Sequence, residues 1–150
     1  MEVKIKKLSE DAVIPHYAKP GDAGMDLTAV SMAYDENGCV VYGTGLAFEI
    51  PEGYVGLLFP RSSNAKKCLT LTNSVGVIDS GYRGEVMFKF RPAMEFDTGE
   101  RLRIDKKIYE VGERIGQIII IPYPHIEFIE TDELSKTERG NGGFGHTGAK

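Results

Sequence analysis

Tryptophan is absent from the 150 residues, and cysteine occurs only twice, as Cys39 and Cys68. With no C-x-x-C pair and no Cys/His spacing, these form neither a disulfide framework nor a zinc site, and both are expected as reduced, partly buried thiols. His16, His125 and His146 are scattered without metal-ligand spacing. Long apolar runs are missing too. The longest purely aliphatic one, at 118–121, is closed by Pro122 and falls far short of the roughly 20 residues that span a bilayer. The stretch MEVKIKKLSEDAVIPHY is charged and has no apolar h-region, so a soluble, cytoplasmic protein is expected, with no membrane partner. Excess positive charge is also lacking. Eighteen Lys and Arg stand against 22 Asp and Glu, a net charge of −4, which argues against stable nucleic-acid binding. There is no P-loop, no G-x-S-x-G elbow and no H-E-x-x-H.

What the chain has in plenty is glycine, 18 residues, and with seven prolines it punctuates the sequence closely. The longest segments free of both, 61–75 and 125–139, leave little room for long helices. Strand signals dominate instead. Val3 and Ile5 alternate with charged residues; Leu46, Phe48 and Ile50 alternate as well, and Val86, Phe88 and Phe90 alternate with Met87, Lys89 and Arg91. YVGLLF and GQIIIIPY read as strands buried on both faces, ending at Pro60 and Pro122. Many short strands between close turn signals predict a single all-β domain, a sandwich or barrel. Helical turns are expected only after Arg61, where Ser62 or Ser63 could cap NAKKC, and in TDELSKTER, which reads equally well as a linker.

Five stretches carry possible chemistry. In KPGDAGMDLTA, Asp26 sits between Met25 and Leu27; partial burial there calls for a partner, a backbone N–H being the simplest. In LFPRSSNAKK, Arg61, Ser62 and Ser63 precede a possible helix start, which makes either a phosphate seat or a plain cap. In NSVGVIDSGYRGEV, Asp79 follows Val77 and Ile78 and opens a turn with Gly81, Tyr82 and Gly84. A carboxylate there can polarise a water or simply bond its own turn. In GERIGQIIII, Gln117 stands at the mouth of the most apolar strand. The tail RGNGGFGHTGAK holds five glycines with Arg139 and Phe144, too much glycine to order unaided. Its G-x-G-x-x-G lacks the strand and helix that a dinucleotide fold requires. An anion clamp and a stacking ring instead suit a lid.

In order and spacing, AGMDL, PRSS, GVIDSGYRGE, GERIGQ and RGNGGFGHTG resemble the five motifs of the trimeric dUTP pyrophosphatases (dUTPases), spanning 23–148. The resemblance implies a β jelly roll at 1–136 with a flexible lid at 137–150 in the same domain. It also implies a homotrimer whose active sites are shared between subunits, and hydrolysis of dUTP to dUMP and pyrophosphate with magnesium. Asp79 matches the general base; Arg61, Ser62, Ser63 and Gln117 match phosphate-binding positions. Asn73, Val77, Ile78 and Met87 match the hairpin that receives deoxyuridine, and Tyr82 the ring under the sugar. Asp26 matches the carboxylate that holds magnesium through water. Arg139 matches the γ-phosphate clamp, and Phe144, with Gly145 beside it, the ring stacked on uracil. Ser63, Gly81, Asn141 and His146 depart from the commoner residues. A dCTP deaminase of the same fold, and a nucleotide-sensing regulator that binds protein partners, are the alternatives.

Overall fold

The computed structural model describes residues 1–92, the backbone of 94–97 and 100–103, and residues 108–143. These carry twelve strands and no α-helix: β1 (Lys4–Lys7), β2 (Met25–Thr28), β3 (Ser31–Tyr34), β4 (Val40–Gly43), β5 (Leu46–Glu49), β6 (Tyr54–Pro60), β7 (Leu69–Leu71), β8 (Gly76–Ile78), β9 (Met87–Pro92), β10 (Met94–Asp97), β11 (Glu100–Arg103) and β12 (Arg114–Pro122). All pairings are antiparallel. One four-stranded sheet runs β2-β12-β6-β8 and the other β3-β4-β9-β7, while β1 pairs with β5 and β10 with β11. The chain passes back and forth between the two large sheets, giving the jelly-roll-like sandwich that the alternating pattern predicts.

The core lies between the sheets. Leu27, Leu58, Ile115 and Ile118 from the first meet Val40, Tyr42, Leu69, Leu71, Phe88 and Phe90 from the second. Phe88 and Phe90 stack, and Tyr42 meets Phe90 and Tyr109 edge-on. Burial pushes the Tyr42 phenol up to about 12, and its hydroxyl donates to the Tyr109 carbonyl at 2.8 Å, so the group enters the core neutral and partnered. Gly116 is a close approach, because a Cβ there would land on the Phe88 ring. Gly116→Ala is expected to cost about 1–3 kcal/mol through overpacking, measured as a lower thermal midpoint.

Two expectations need correction. After Arg61 the chain makes only a 3-10 turn, Ser62–Lys66, whose N-terminal residue forms no side-chain cap. Arg61 takes the cap position in extended geometry, and neither serine serves. The segment 123–143 holds no helix. Further, β6 and β12 are buried on one face only. Gly56, Leu58, Ile115 and Ile118 face the core, whereas Leu57, Phe59 and Ile119 are half-buried and Ile121 is exposed. The register Ile119↔Leu57↔Val77 puts these residues with the exposed Val77 on the outer face of the first sheet. No helix of the described residues is long and apolar enough to cross a membrane.

Candidate active site

Strand register brings the first group of residues together. Asp26 on β2 lies opposite Gln117 on β12, which lies opposite Phe59 on β6, one residue before the strand ends at Pro60. Arg61 follows in extended geometry (φ −75°, ψ 157°). Its Nε donates to Asp26 Oδ1 at 2.9 Å, and its Nη1 donates to Ser63 Oγ at 3.2 Å. Gln117 Nε2 donates to the same Oδ1 at 3.1 Å, and Arg114 Nη1 donates to Oδ2 at 3.0 Å. Asp26 thus meets side chains where a backbone N–H was the simplest expectation. Gln117 is not at a strand entry but within β12, its amide held by a carboxylate.

The local sequence sets up this arrangement. Gly112 has φ +92°, a left-handed conformation that favours glycine, and closes the turn into β12. The Glu113 carboxylate accepts from the Glu110 N–H at 2.7 Å and from Lys67 at 3.0 Å, which together hold its pKa below the ordinary value. A bulge between Arg114 and Gly116 lets Ile115 enter the core while Arg114 reaches Asp26. Asp26, Arg61, Arg114 and Gln117 line one wall of a cleft of about 450 Å³, which Asp22 and residues 13–16 also line. Asp22 and Asp26 balance the charge of the two guanidiniums, whose free N–H donors still suit an anion. Arg114 and the strap that includes His16 were not expected from the sequence. The arginine lies inside GERIGQ, but nothing in the order of letters says that the bulge aims it at Asp26.

The second group sits around β8 and its connection to β9, which crosses from one sheet to the other. Asp79 ends β8 exposed, and its carbonyl accepts from the Tyr82 N–H at 3.0 Å to close the turn. The Tyr82 hydroxyl donates to the Glu85 carbonyl at 3.0 Å, which fixes the ring. A Cβ at Gly84 would strike that phenol, so a larger residue there would displace the Tyr82 ring. Asn73, Val77 and Met87 are exposed and Ile78 is half-buried, so this region presents an open surface.

These two groups do not meet in one chain. Pairing of Leu58 with Gly76 and of Gly56 with Ile78 carries Asp79 toward the start of β6, while Arg61 follows its end. The intervening strand is on the order of 20 Å long at about 3.3 Å per residue. Arg139 is exposed, with its Nε donating to the Gly142 carbonyl at 3.0 Å. Ser62 is exposed on the 3-10 turn beside Arg61. Phe144 and Gly145 lie outside the described residues, as does His146.

A dUTPase family model matches residues 10–148. The chain belongs to the dUTPase family. dUTPases are enzymes that hydrolyse dUTP to dUMP and pyrophosphate, so the hydrolase expected from the motifs is the one found. The deoxyuridine 5'-triphosphate nucleotidohydrolase of Hydrogenobaculum sp. is 42% identical over all of both chains. That of Nautilia profundicola is 43% identical over 99% of each. Among solved structures, a point mutant of the Staphylococcus bacteriophage 80alpha dUTPase with dUpNHpp superposes at a TM-score of 0.82, with 30% identity over 99% of both chains. A point-mutant dUTPase of the S. aureus phage phi11, described as coordinating a structural Mg(II) ion, gives 0.68 at 28% identity, over 89% of this chain and 98% of its own.

Proposed function

We propose that this dUTPase hydrolyses dUTP through a water activated by Asp79, at sites shared between copies of a homotrimer. The separation of the two residue groups along β6 is the observation that carries this reading. A site that needs both the Asp26–Arg61–Gln117 wall and the Asp79 turn takes one group from each of two copies. The half-covered apolar row of Leu57, Phe59, Val77, Ile119 and Ile121 supports the same assembly, since it adjoins Gln117 on the same sheet face and a second copy would bury it. A threefold ring closes such head-to-tail contacts.

In this arrangement Arg61, Ser62, Ser63 and Gln117 bind the phosphates. Asn73, Val77, Ile78 and Met87 receive deoxyuridine, leaving no space for a 5-methyl group. Tyr82 packs under the sugar and disfavours a 2′-hydroxyl. The Asp79 carboxylate takes a proton from the attacking water, which adds in line to the α-phosphorus as pyrophosphate leaves. Residues 1–136 form the core, and 137–150 close as a lid, with Arg139 on the γ-phosphate and Phe144, next to Gly145, on uracil. Hydrolysis lowers dUTP, which limits uracil in DNA, and supplies dUMP for thymidylate synthesis. We place the enzyme in the cytoplasm, without nucleic-acid or membrane partners.

The residues present fit magnesium delivered on the substrate. No cluster of three or more acidic, His or Cys ligands occurs among the described residues, so a protein cage is not offered there. A triphosphate-bound magnesium keeps several waters and needs few protein ligands. Asp26 accepts three hydrogen bonds, two on Oδ1 and one on Oδ2. A carboxylate has about four lone-pair sites, so one on Oδ2 is left for a metal-bound water. Once bound, magnesium would neutralise and orient the phosphate oxygens.

Pyrophosphate release from dUTP, dTTP, dCTP and UTP, each with and without magnesium, tests the proposal. Turnover of dUTP is expected to exceed that of every other nucleotide by at least about 10-fold and to fall when magnesium is removed. Ammonia from dCTP would favour a deaminase instead.

A further inference from the structure

Arg114 has no part in the reading above, yet it grips the carboxylate on which Arg61 depends. We infer that Arg114 is a positioning residue: by holding Asp26 Oδ2, it keeps Arg61 attached to that carboxylate through Nε alone, leaving the outer guanidinium edge to receive a triphosphate. The inference rests on dUTP being the ligand of this cleft.

An isolated carboxylate and guanidinium favour two parallel hydrogen bonds. Asp26 and Arg61 make one, Nε to Oδ1 at 2.9 Å, although their side chains are only 17% and 24% exposed and water competes weakly. The second parallel bond would need Oδ2 turned toward Arg61, and Arg114 Nη1 holds Oδ2 toward itself at 3.0 Å. Arg61 Nη2, whose N–H runs parallel to that of Nε and would make this second bond, is left without a partner among the described residues, while Nη1 donates to Ser63 Oγ. Without Arg114, Asp26 is free to swing into a two-bond pair with Arg61 and withdraw donors from the cleft. Arg114 is well placed to prevent this. The bulge fixes its direction, and the residue before it is anchored twice, through its carboxylate to the Glu110 N–H and through its carbonyl, which accepts from Ala29 at 3.0 Å.

The Arg114 side chain is 56% exposed, so the pair adds little to fold stability and its removal should leave the protein folded. This separates positioning from structural damage. The experiment is a double-mutant cycle of Arg114→Gln with Asp26→Asn, read as affinity for dUpNHpp and for dUMP in magnesium-free buffer. Arg114→Gln is expected to weaken dUpNHpp about 10-fold and leave dUMP, which lacks the β- and γ-phosphates, within about twofold. Arg114→Lys should recover most of the loss, because one point charge suffices to hold Oδ2. In the Asp26→Asn background, Arg114→Gln should change dUpNHpp affinity by less than about twofold. An undiminished loss in that background overturns the inference, since Arg114 would then act on the ligand directly. Equal losses for dUMP, or no loss at all, overturn it as well. A parent enzyme that neither hydrolyses dUTP nor binds dUpNHpp defeats the proposed function itself, whereas an active parent with an additive cycle defeats only the role of Arg114.

Discussion

Replacing Asp79 with asparagine is expected to lower dUTP turnover by about 10²–10⁴-fold, the usual contribution of a general base. Affinity for dUpNHpp should change only a few-fold. The substitution keeps the shape and removes the basic oxygen. It spares the fold because the turn is closed by the Asp79 backbone carbonyl and not by the carboxylate. The side chain is exposed at the end of β8, so an amide there leaves no buried polar group stranded. Single-turnover rates with enzyme in excess isolate the chemical step from product release. Near-parental rates in that assay would remove Asp79 from the mechanism and with it the need for its turn to face the arginine wall.

Truncation after Glu138 should have a comparably large effect by a different route. The last strand of the described residues ends at Pro122, so the deletion removes no described strand, and the assembly should sediment as the full chain does. Arg139 and Phe144 are both lost. Stacking on a base is worth about 1–3 kcal/mol, and a paired guanidinium–phosphate contact adds to it. Part of that gain offsets the ordering of a glycine-rich segment, so in the proposed mechanism the tail closes only over a complete triphosphate. A fall in kcat/KM of at least about 100-fold is expected, on the order of 2.7 kcal/mol of lost transition-state stabilisation. Normal turnover by the truncated protein would leave the tail without a catalytic role.

The sheet architecture was readable where periodicity is strict. Val86, Phe88 and Phe90 point inward and Met87, Lys89 and Arg91 outward, as their alternation requires. The reading of β6 and β12 as strands covered on both sides departs from the single chain, which covers one. The half-covered outer row has a sequence suited to burial, and hydropathy does not distinguish a neighbour in the same chain from a second copy. The short turn after Arg61 was harder to read, because two serines before an alanine and two lysines satisfy local capping preferences that the extended Arg61 backbone overrides. Arg114 was missed for a related reason. Its partner is 88 positions away, and only the bulge brings the two together. Asp26, Arg61 and Gln117 were selected singly by residue type, whereas their convergence on one carboxylate is a matter of strand register.

Asp79 and Arg61 flank a single rigid strand from opposite ends, and bending cannot bring them together. If the site is shared as proposed, a protomer on its own carries two incompatible halves of the machinery, inert however well folded. Dilution would act as an off-switch, and nascent chains would remain silent until enough of them had accumulated to find one another.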